Sequence, residues 1–227
     1  MRKSFLFVLT LVIALVAATP LKANPVLLQD LIDAGGTIQV GDKVFSDFGC
    51  SIIGGGPFFN PTDCTQIDVT GLFDPAGREG LRFQMAGIVA GGGSFVDILI
   101  GYVVTSPGND IIDIRLTYNG AVTGTGLTNV VETVYANAPP DGVLGQAVVT
   151  NPPPMLEEII FINPTSSIRV VKDILMAAGS QGTAFISFVD QYVSQVIPQP
   201  GSMMLLGSGL LGLAGIARRR FRPSSKA

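Results

Sequence analysis

Hydrophobic and polar residues alternate along most of the middle of the chain. The clearest case is GLRFQMAG, in which Leu81, Phe83 and Met85 alternate with Arg82 and Gln84. A period of two places every second side chain on one face, which predicts amphipathic β-strands. Such runs recur about every 10–15 residues with glycine and proline between them, so the pattern predicts about ten strands.

Two segments depart from this alternation. NPVLLQDLIDAGG carries apolar residues at helical spacing and ends at Gly35-Gly36, which predicts a short helix with a glycine stop. SFVDILIGYVVT is almost continuously apolar, which predicts a central strand covered on both faces. Gly41-Asp42 interrupts the alternation and predicts a hairpin turn or a bulge. Because strands outnumber helices throughout, the chain is predicted to be all-β and to fold as an antiparallel, jelly-roll-like β-sandwich.

The first 23 residues carry a different pattern, MRKSFLFVLTLVIALVAATPLKA. Two basic residues precede an apolar run from Phe5 to Ala18, and small residues follow. This is the plan of a secretory signal peptide, cut after Ala18 or after Ala23. A retained anchor is the weaker alternative, because a run of about 14 residues is shorter than the ~20 that span a bilayer. Residues 1–23 are therefore predicted to be a cleavable signal helix.

The other end of the chain is also apolar. Residues 201–217 contain no charged side chain, and as a helix they would be about 25 Å long, close to the ~30 Å of a hydrocarbon core. A transmembrane helix is predicted there. An arginine cluster follows directly and would stay cytoplasmic by the positive-inside rule: Arg218, Arg219, Arg220 and Arg222.

Between the two apolar ends, residues 24–196 are predicted to be one ectodomain, and residues 197–227 a separate C-terminal segment. The whole chain of 227 residues carries a net charge of −3, but the stretch from Asp30 to Asp190 holds 17 acidic and six basic residues, a net charge of −11. Such a surface repels phosphate backbones, so nucleic acid is not expected as a partner. The acidity is also explained if it only keeps an exported domain soluble.

The chain has two cysteines, Cys50 and Cys64. In an oxidising compartment a close pair favours a disulfide, and closing a loop of this length contributes about 3 kcal/mol. The chain has no histidine, which disfavours a metal site. Two free buried thiols are the remaining alternative.

The absence of histidine also limits catalysis, because Ser-His-Asp and Cys-His arrangements are excluded. Paired carboxylates could still cleave glycosides, but the chain has no tryptophan and four tyrosines with which to bind a sugar. The chain is therefore expected not to be an enzyme, and no catalytic, cofactor-binding or metal-binding residue is predicted. The candidate carboxylate pairs are Asp110 and Asp113, Glu157 and Glu158, and Asp63 and Asp68.

The tail from Ile197 to Arg222, IPQPGSMMLLGSGLLGLAGIARRRFR, contains a proline-X-proline motif, a glycine-dotted hydrophobic stretch and an arginine cluster, in that order. It resembles the PEP-CTERM sorting signal, which occurs in Gram-negative bacteria that make exopolysaccharide and is read by the membrane protease exosortase. Glutamine stands where that family usually has glutamate. The middle of the chain is also similar to ectodomains of PEP-CTERM proteins, which implies no established activity. The resemblance assigns the sorting motif to Pro198, Gln199, Pro200 and Gly201.

These features together predict an exported, non-enzymatic protein, anchored in the inner membrane as a precursor and then held at the cell surface or in the extracellular matrix. The expected partners are exosortase, the membrane and, as a further candidate, exopolysaccharide. One alternative is an envelope hydrolase, which needs two carboxylates that converge in a cleft. The other is a carbohydrate-binding or adhesion module, which needs a cluster of exposed rings from Phe58, Phe59, Tyr118, Tyr135 and Tyr192.

Overall fold

The computed structural model describes residues 24–57, 63–85, 87–137 and 142–195, which form two antiparallel β-sheets packed face to face. The predicted β-sandwich is therefore confirmed. The signal segment 1–23 and the C-terminal segment 197–227 lie outside the described residues, so the two helices expected there stay predictions.

Within the described ranges, ten strands have six or more residues, which agrees with the predicted number, and three shorter strands add to them. A helix, α1 (Leu28–Ala34), and a 3₁₀ turn (Cys64–Gln66) complete the regular structure. The strands are β1 (Val26–Leu27), β2 (Ile38–Val40), β3 (Lys43–Gly55), β4 (Asp68–Phe73), β5 (Glu79–Gln84), β6 (Val89–Gly91), β7 (Phe95–Thr105), β8 (Ile111–Thr123), β9 (Gly126–Ala136), β10 (Val143–Asn151), β11 (Glu157–Thr165), β12 (Ser167–Ala178) and β13 (Thr183–Gln195).

Sheet A has seven strands, in the order β1-β4-β5-β13-β8-β11, with β6 pairing beside the start of β13. Sheet B has six strands, in the order β10-β9-β12-β7-β3-β2. The chain crosses between the sheets repeatedly, so neighbours within a sheet are often distant in sequence. The last strand, β13, consequently lies inside sheet A between β5 and β8 rather than at an edge.

Both short-range predictions near the start of the ectodomain are confirmed. Helix α1 is capped by Gly35, whose left-handed φ of 55° lets the N–H groups of Gly35 and Gly36 donate to the carbonyl groups of Ile32 and Leu31. The hairpin turn is formed at Gly41, with a φ of 58°, and joins β2 to β3 in antiparallel register. Glycine is favoured at this turn because L side chains rarely adopt this φ, and a Cβ would in addition displace the carboxyl group of Glu79.

Side chains from both sheets form one core. On β5 the predicted alternation holds, since Leu81, Phe83 and the following Met85 are buried. The ring of Tyr102 on β7 lies 5.5 Å from that of Phe83, measured between centroids, and so joins sheet B to sheet A. Burying apolar side chains such as these between two sheets is the main favourable contribution to the stability of a sandwich.

The prediction that β7 is covered on both faces is wrong. The strand is central, between β12 and β3, but its side chains alternate between buried and exposed positions. Leu99, for example, is 46% exposed on the outer face of sheet B. Only one face of this strand packs against the core. The apolar run is continuous because apolar residues also occupy the outward positions of the strand.

Cys50 and Cys64 form a disulfide, as the sequence predicts, with a Cα–Cα distance of 6.4 Å. Cys50 lies on β3 in sheet B, whereas Cys64 begins the 3₁₀ turn that leads into β4 of sheet A. The bond therefore links the two sheets through the segment that crosses between them.

An ion pair lies inside the core. Lys172 on β12 is directly opposite Glu132 on β9, both side chains are fully buried, and the ammonium group donates to Oε2 of Glu132. Burial lowers the pKa of Lys172, and the charge of Glu132 opposes that effect. The second carboxylate oxygen of Glu132 and the hydroxyl of the nearby Tyr102 have no hydrogen-bond partner among the described residues. Glu132 therefore depends on Lys172 for the compensation of its charge.

Candidate functional site

The sandwich has two ends, and we call the one at which β13 stops the tail-proximal end. The register places the start of β8 there, because Gln195 is paired with Ile111, and the start of β5, because Val193 is paired with Glu79. The turns at residues 41–42, 74–78 and 106–110 all lie at this end. The tail-proximal end is therefore where the chain leaves the sandwich toward residues 196–227.

Lys43 holds this end together, and we call its contacts the Lys43 cluster. Its side chain is fully buried, and Nζ donates to Oε2 of Glu79 at 3.0 Å. The same ammonium group donates to Asp42 and to the side-chain oxygen of Gln195. Lys43 belongs to sheet B, whereas Glu79 and Gln195 belong to sheet A. The cluster thus fixes the last residue of β13 to both sheets.

The electrostatics of the Lys43 cluster follow from burial and from the lysine charge. Burial raises the pKa of Glu79 above its ordinary value, and the hydrogen bond from Lys43 opposes this only in part. Burial also acts to raise the pKa of Asp42, but hydrogen bonds and the charge of Lys43 outweigh it, so this pKa is lowered. One buried cation therefore serves two carboxyl groups, and Asp42 keeps its negative charge more firmly than Glu79.

Two clefts flank the end of β13. One, of ≈ 410 Å³, is lined by residues 76–79 and 193–195. The other, of ≈ 330 Å³, is lined by residues 106–110 and Ser166. Between them, Oγ of Ser106 lies 3.3 Å from Oε1 of Gln195 and 2.5 Å from the carbonyl oxygen of Asn109, and its one proton is shared between the two. The chain thus leaves the sandwich at Gln195, whose side chain is held by hydrogen bonds, with one cleft on each side.

The predicted carboxylate pairs do not share contacts in the structure. Glu157 and Glu158 are consecutive on β11 and point in opposite directions. Glu157 accepts from Arg115 at 2.6 Å, whereas Glu158 accepts from the backbone N–H of Val148 in sheet B. Asp63 accepts from the N–H of Thr65 and so caps the 3₁₀ turn. Of the others, Asp68 lies on β4, Asp110 in an exposed turn and Asp113 on β8.

A different pair of carboxyl groups, which the sequence did not indicate, lies on the outer face of sheet B. Burial raises the pKa of Asp97 above its ordinary value, and the charge and hydrogen bonding of Asp173 add to the effect. Asp97 is opposite Leu175 on the neighbouring strand, and Asp173 is opposite Leu99, so the two are diagonal neighbours. The pair lies on a sheet face rather than in either tail-proximal cleft.

The aromatic residues named for a sugar platform are not gathered in one place. Tyr118 is buried, while Tyr135 and Tyr192 are half-buried on different sheets. The ring of Tyr135 is covered by Arg169, whose guanidinium carbon lies 4.3 Å from the ring centroid. Phe58 and Phe59 lie outside the described residues.

No group of three potential metal ligands occurs among residues 24–57, 63–85, 87–137 and 142–195. None of the helices in these ranges has the length and hydrophobicity that crossing a membrane requires. The predicted sorting residues, Pro198 to Gly201, and the arginine cluster from Arg218 to Arg222 lie outside the described part, so their roles stay predictions.

Fold and tail together define an exported β-sandwich protein with a sorting segment attached to its last strand. Residues 196–220 match the family model of the PEP-CTERM protein-sorting motif. The chain therefore carries a PEP-CTERM sorting signal, as the resemblance of the tail implied. This signal marks a protein that is exported and held as a membrane-anchored precursor for processing by exosortase. No curated protein matches the chain.

Solved structures that match part of the chain include TmCBM61 in complex with β-1,4-galactotriose, with 11% identity, a TM-score of 0.32, and coverage of 64% of this chain and 88% of that one. The Glycosylation Associate Protein (Gap123) complex from Streptococcus agalactiae is 12% identical, with a TM-score of 0.29 and coverage of 64% and 25%. The enzymatically active domain of tailspike protein 4 from bacteriophage CBA120 is 9% identical, with a TM-score of 0.26 and coverage of 64% and 19%. With TM-scores this low, the ligands of these proteins do not bear on what the sandwich binds.

Proposed function

We propose that the protein is a non-enzymatic component of the cell surface or extracellular matrix of a Gram-negative bacterium, and that its sandwich is the part that persists after processing. The observation that carries the proposal is the position of the sorting motif. It begins at residue 196, directly after the last residue of β13. A cut within the first residues of the motif would leave the whole described fold intact and remove only the anchor.

The contacts of the carboxylates support the non-enzymatic part of the proposal. Among the residues considered for glycoside cleavage, Glu157, Glu158 and Asp63 each have a structural hydrogen bond. Glycoside cleavage instead needs two carboxyl groups that face each other about 5–10 Å apart across a bound sugar. The disulfide and the close packing of the two sheets suit a domain that has to persist in an oxidising environment.

Deletion of residues 203–222 is expected to abolish retention in the envelope. The deletion removes most of the apolar segment and the arginines that would stop it, so no anchor remains for the precursor. Fractionation followed by immunoblotting should find the truncated protein in the soluble fraction and the full-length protein in the membrane fraction. Deletion of residues 223–227, which lie beyond the matched motif, is the control and should leave retention unchanged. A 203–222 deletion that stays membrane-bound would contradict the proposal.

A second candidate function is binding of the exopolysaccharide itself, and the outer face of sheet A favours it. Arg82 forms two hydrogen bonds of 2.7 Å with Asp190, and its guanidinium carbon lies 3.9 Å from the centroid of the Phe188 ring. Half-buried Tyr192 lies next to this pair on the same face of β13. Rings beside fixed hydrogen-bonding groups are suited to sugars.

This second function is distinguished from a purely structural role by affinity electrophoresis in gels containing the polysaccharide of the host bacterium. Retardation that is lost in Tyr192→Ala but kept in Phe95→Ala would favour the binding module. Phe95 is a suitable control, because it is 42% exposed on β7 in the opposite sheet, sheet B. Equal mobility of all three proteins in gels with and without polysaccharide would leave the structural role as the proposed function.

A further inference from the structure

The distance between the sandwich and the membrane is limited by the length of chain between them. Five residues, 196–200, separate the end of β13 at Gln195 from the predicted membrane helix over residues 201–217. Fully extended, five residues span at most about 18 Å. The headgroup layer occupies roughly 5–8 Å of this, since a bilayer is ~40–45 Å thick and its hydrocarbon core ~30 Å. The tail-proximal end would therefore lie within about 13 Å of the headgroups.

The sandwich cannot extend this connection easily by releasing the end of β13. The strand is paired on both sides, with β5 and with β8, so freeing its last residues would break two ladders. Gln195 is in addition held by the ammonium group of Lys43 and by the hydroxyl of Ser106. The connection to the predicted membrane helix thus begins after Gln195, the last residue that the fold holds.

A protease that cuts within this connection has little room. Cleavage places a peptide bond of residues 196–201 in the active site of the protease, and the tail-proximal end is then held within about 18 Å of that site. The protease surface around its active site must therefore face the tail-proximal end. This proximity follows from chain length and topology, before any attraction between the two surfaces is considered.

We propose that the tail-proximal end of the sandwich is a docking surface for exosortase during cleavage, an inference that rests on the proposed function. The two clefts on either side of Gln195 give this surface its shape. Its accessible charge is negative, because Asp42 and Asp110 are exposed to solvent in part or fully, whereas the charge of Lys43 is buried and Arg78 is paired with Asp74. The complementary partner is a basic protein face, since an acidic end is not attracted to anionic lipid.

The first test is a ten-residue Gly-Ser linker inserted between Gln195 and Val196 in the full-length precursor. Docking at a fixed spacing places the cleavage segment in the protease, and a flexible insertion lowers its effective concentration there. Conversion of precursor to mature protein, followed by pulse-chase in the host, is expected to slow about threefold or more. The insertion lies outside the described fold, so a folding defect would not explain the result.

The second test is charge reversal. Asp110→Lys in the 106–110 turn is expected to slow processing about two- to threefold, because rim charges act mainly on the rate of association. Asp173→Lys is the matched control and should be processed at the wild-type rate, since Asp173 lies in the middle of β12 on the outer face of sheet B. Urea unfolding of both proteins verifies that each is folded.

Each outcome decides the inference. Slower processing of the linker variant together with slower processing of Asp110→Lys supports docking. A linker variant processed at or above the wild-type rate overturns it, because the sandwich would then be neutral or an obstacle. An Asp110→Lys variant processed at the wild-type rate overturns it as well, because the acidic surface would then play no part in processing. These results are separate from the proposed function, which is tested by the processing of the wild-type precursor and by the loss of retention in the 203–222 deletion.

Discussion

Replacement of Lys172 by methionine is expected to lower the free energy of unfolding by about 3–5 kcal/mol, the cost of leaving a buried charge without its partner. Methionine has a similar length, so the packing against the core is largely kept and the lost charge dominates. Glu132 is fully buried, and its second oxygen already lacks a hydrogen-bond partner among the described residues. Equilibrium urea unfolding of the purified protein at neutral pH measures the change.

The double variant Lys172→Met/Glu132→Leu tests whether the stability lost in Lys172→Met comes from the unpaired charge of Glu132. Replacing both partners by apolar residues of similar volume removes the buried charge, so most of the lost stability should return. The neighbouring Asp173→Asn is the matched control, because its side chain is exposed, and it should stay within about 0.5 kcal/mol of wild type. If Lys172→Met cost less than about 1 kcal/mol, the carboxylate of Glu132 would have to be compensated in another way.

The buried ion pair could have been found from the sequence. In SIRVVKDILM the residues that turn out to be buried occupy alternate positions, and Lys172 has the same parity as Val170 and Ile174. Glu132 likewise falls in phase with Val130 and Val134 on β9. A charged residue at an inward position of two strands is a signal for a buried pair, although only the register shows that the two are opposite each other.

The Lys43 cluster could not have been found in this way. Its hydrogen bonds join residues 36 and 152 positions apart, because β13 returns to the middle of sheet A beside β5. Nothing local in KVFSDF indicates that Lys43 reaches the last residue of the final strand. Strand order is a property of the whole chain, whereas alternation, turns and the glycine stop of α1 are set within a few neighbouring residues.

The sorting signal, in contrast, could be predicted from the sequence, because it does not depend on strand order. It is defined by the order of a proline motif, an apolar segment and basic residues along the chain, so it can be recognised without knowledge of the fold. The continuous apolar run of β7 led instead to a wrong prediction, namely that both faces of the strand are buried. Its outward residues, such as Leu99 and Phe95, are hydrophobic but exposed, and hydrophobicity alone does not say whether a second layer covers a sheet.

The disulfide connects parts of the fold that few other contacts join. Cys50 is on β3, and Cys64 begins the turn that precedes β4, so the bond closes a crossing from sheet B to sheet A. The two residues are 14 positions apart in the sequence. Without the bond this crossing segment gains conformational freedom in the unfolded chain, which is the main source of stabilisation by a disulfide.

The variant Cys50→Ala/Cys64→Ala is therefore expected to lose about 3 kcal/mol of unfolding free energy, which urea titration without reductant measures. Wild-type protein unfolded in the presence of dithiothreitol should approach the same value, because it too lacks the bond. Ser51→Ala, next to Cys50 on the exposed face of β3, should unfold like wild type in both conditions. A double variant as stable as the oxidised wild type would mean that the crossing segment is already ordered in the unfolded chain, and the loop-closure argument would not hold here.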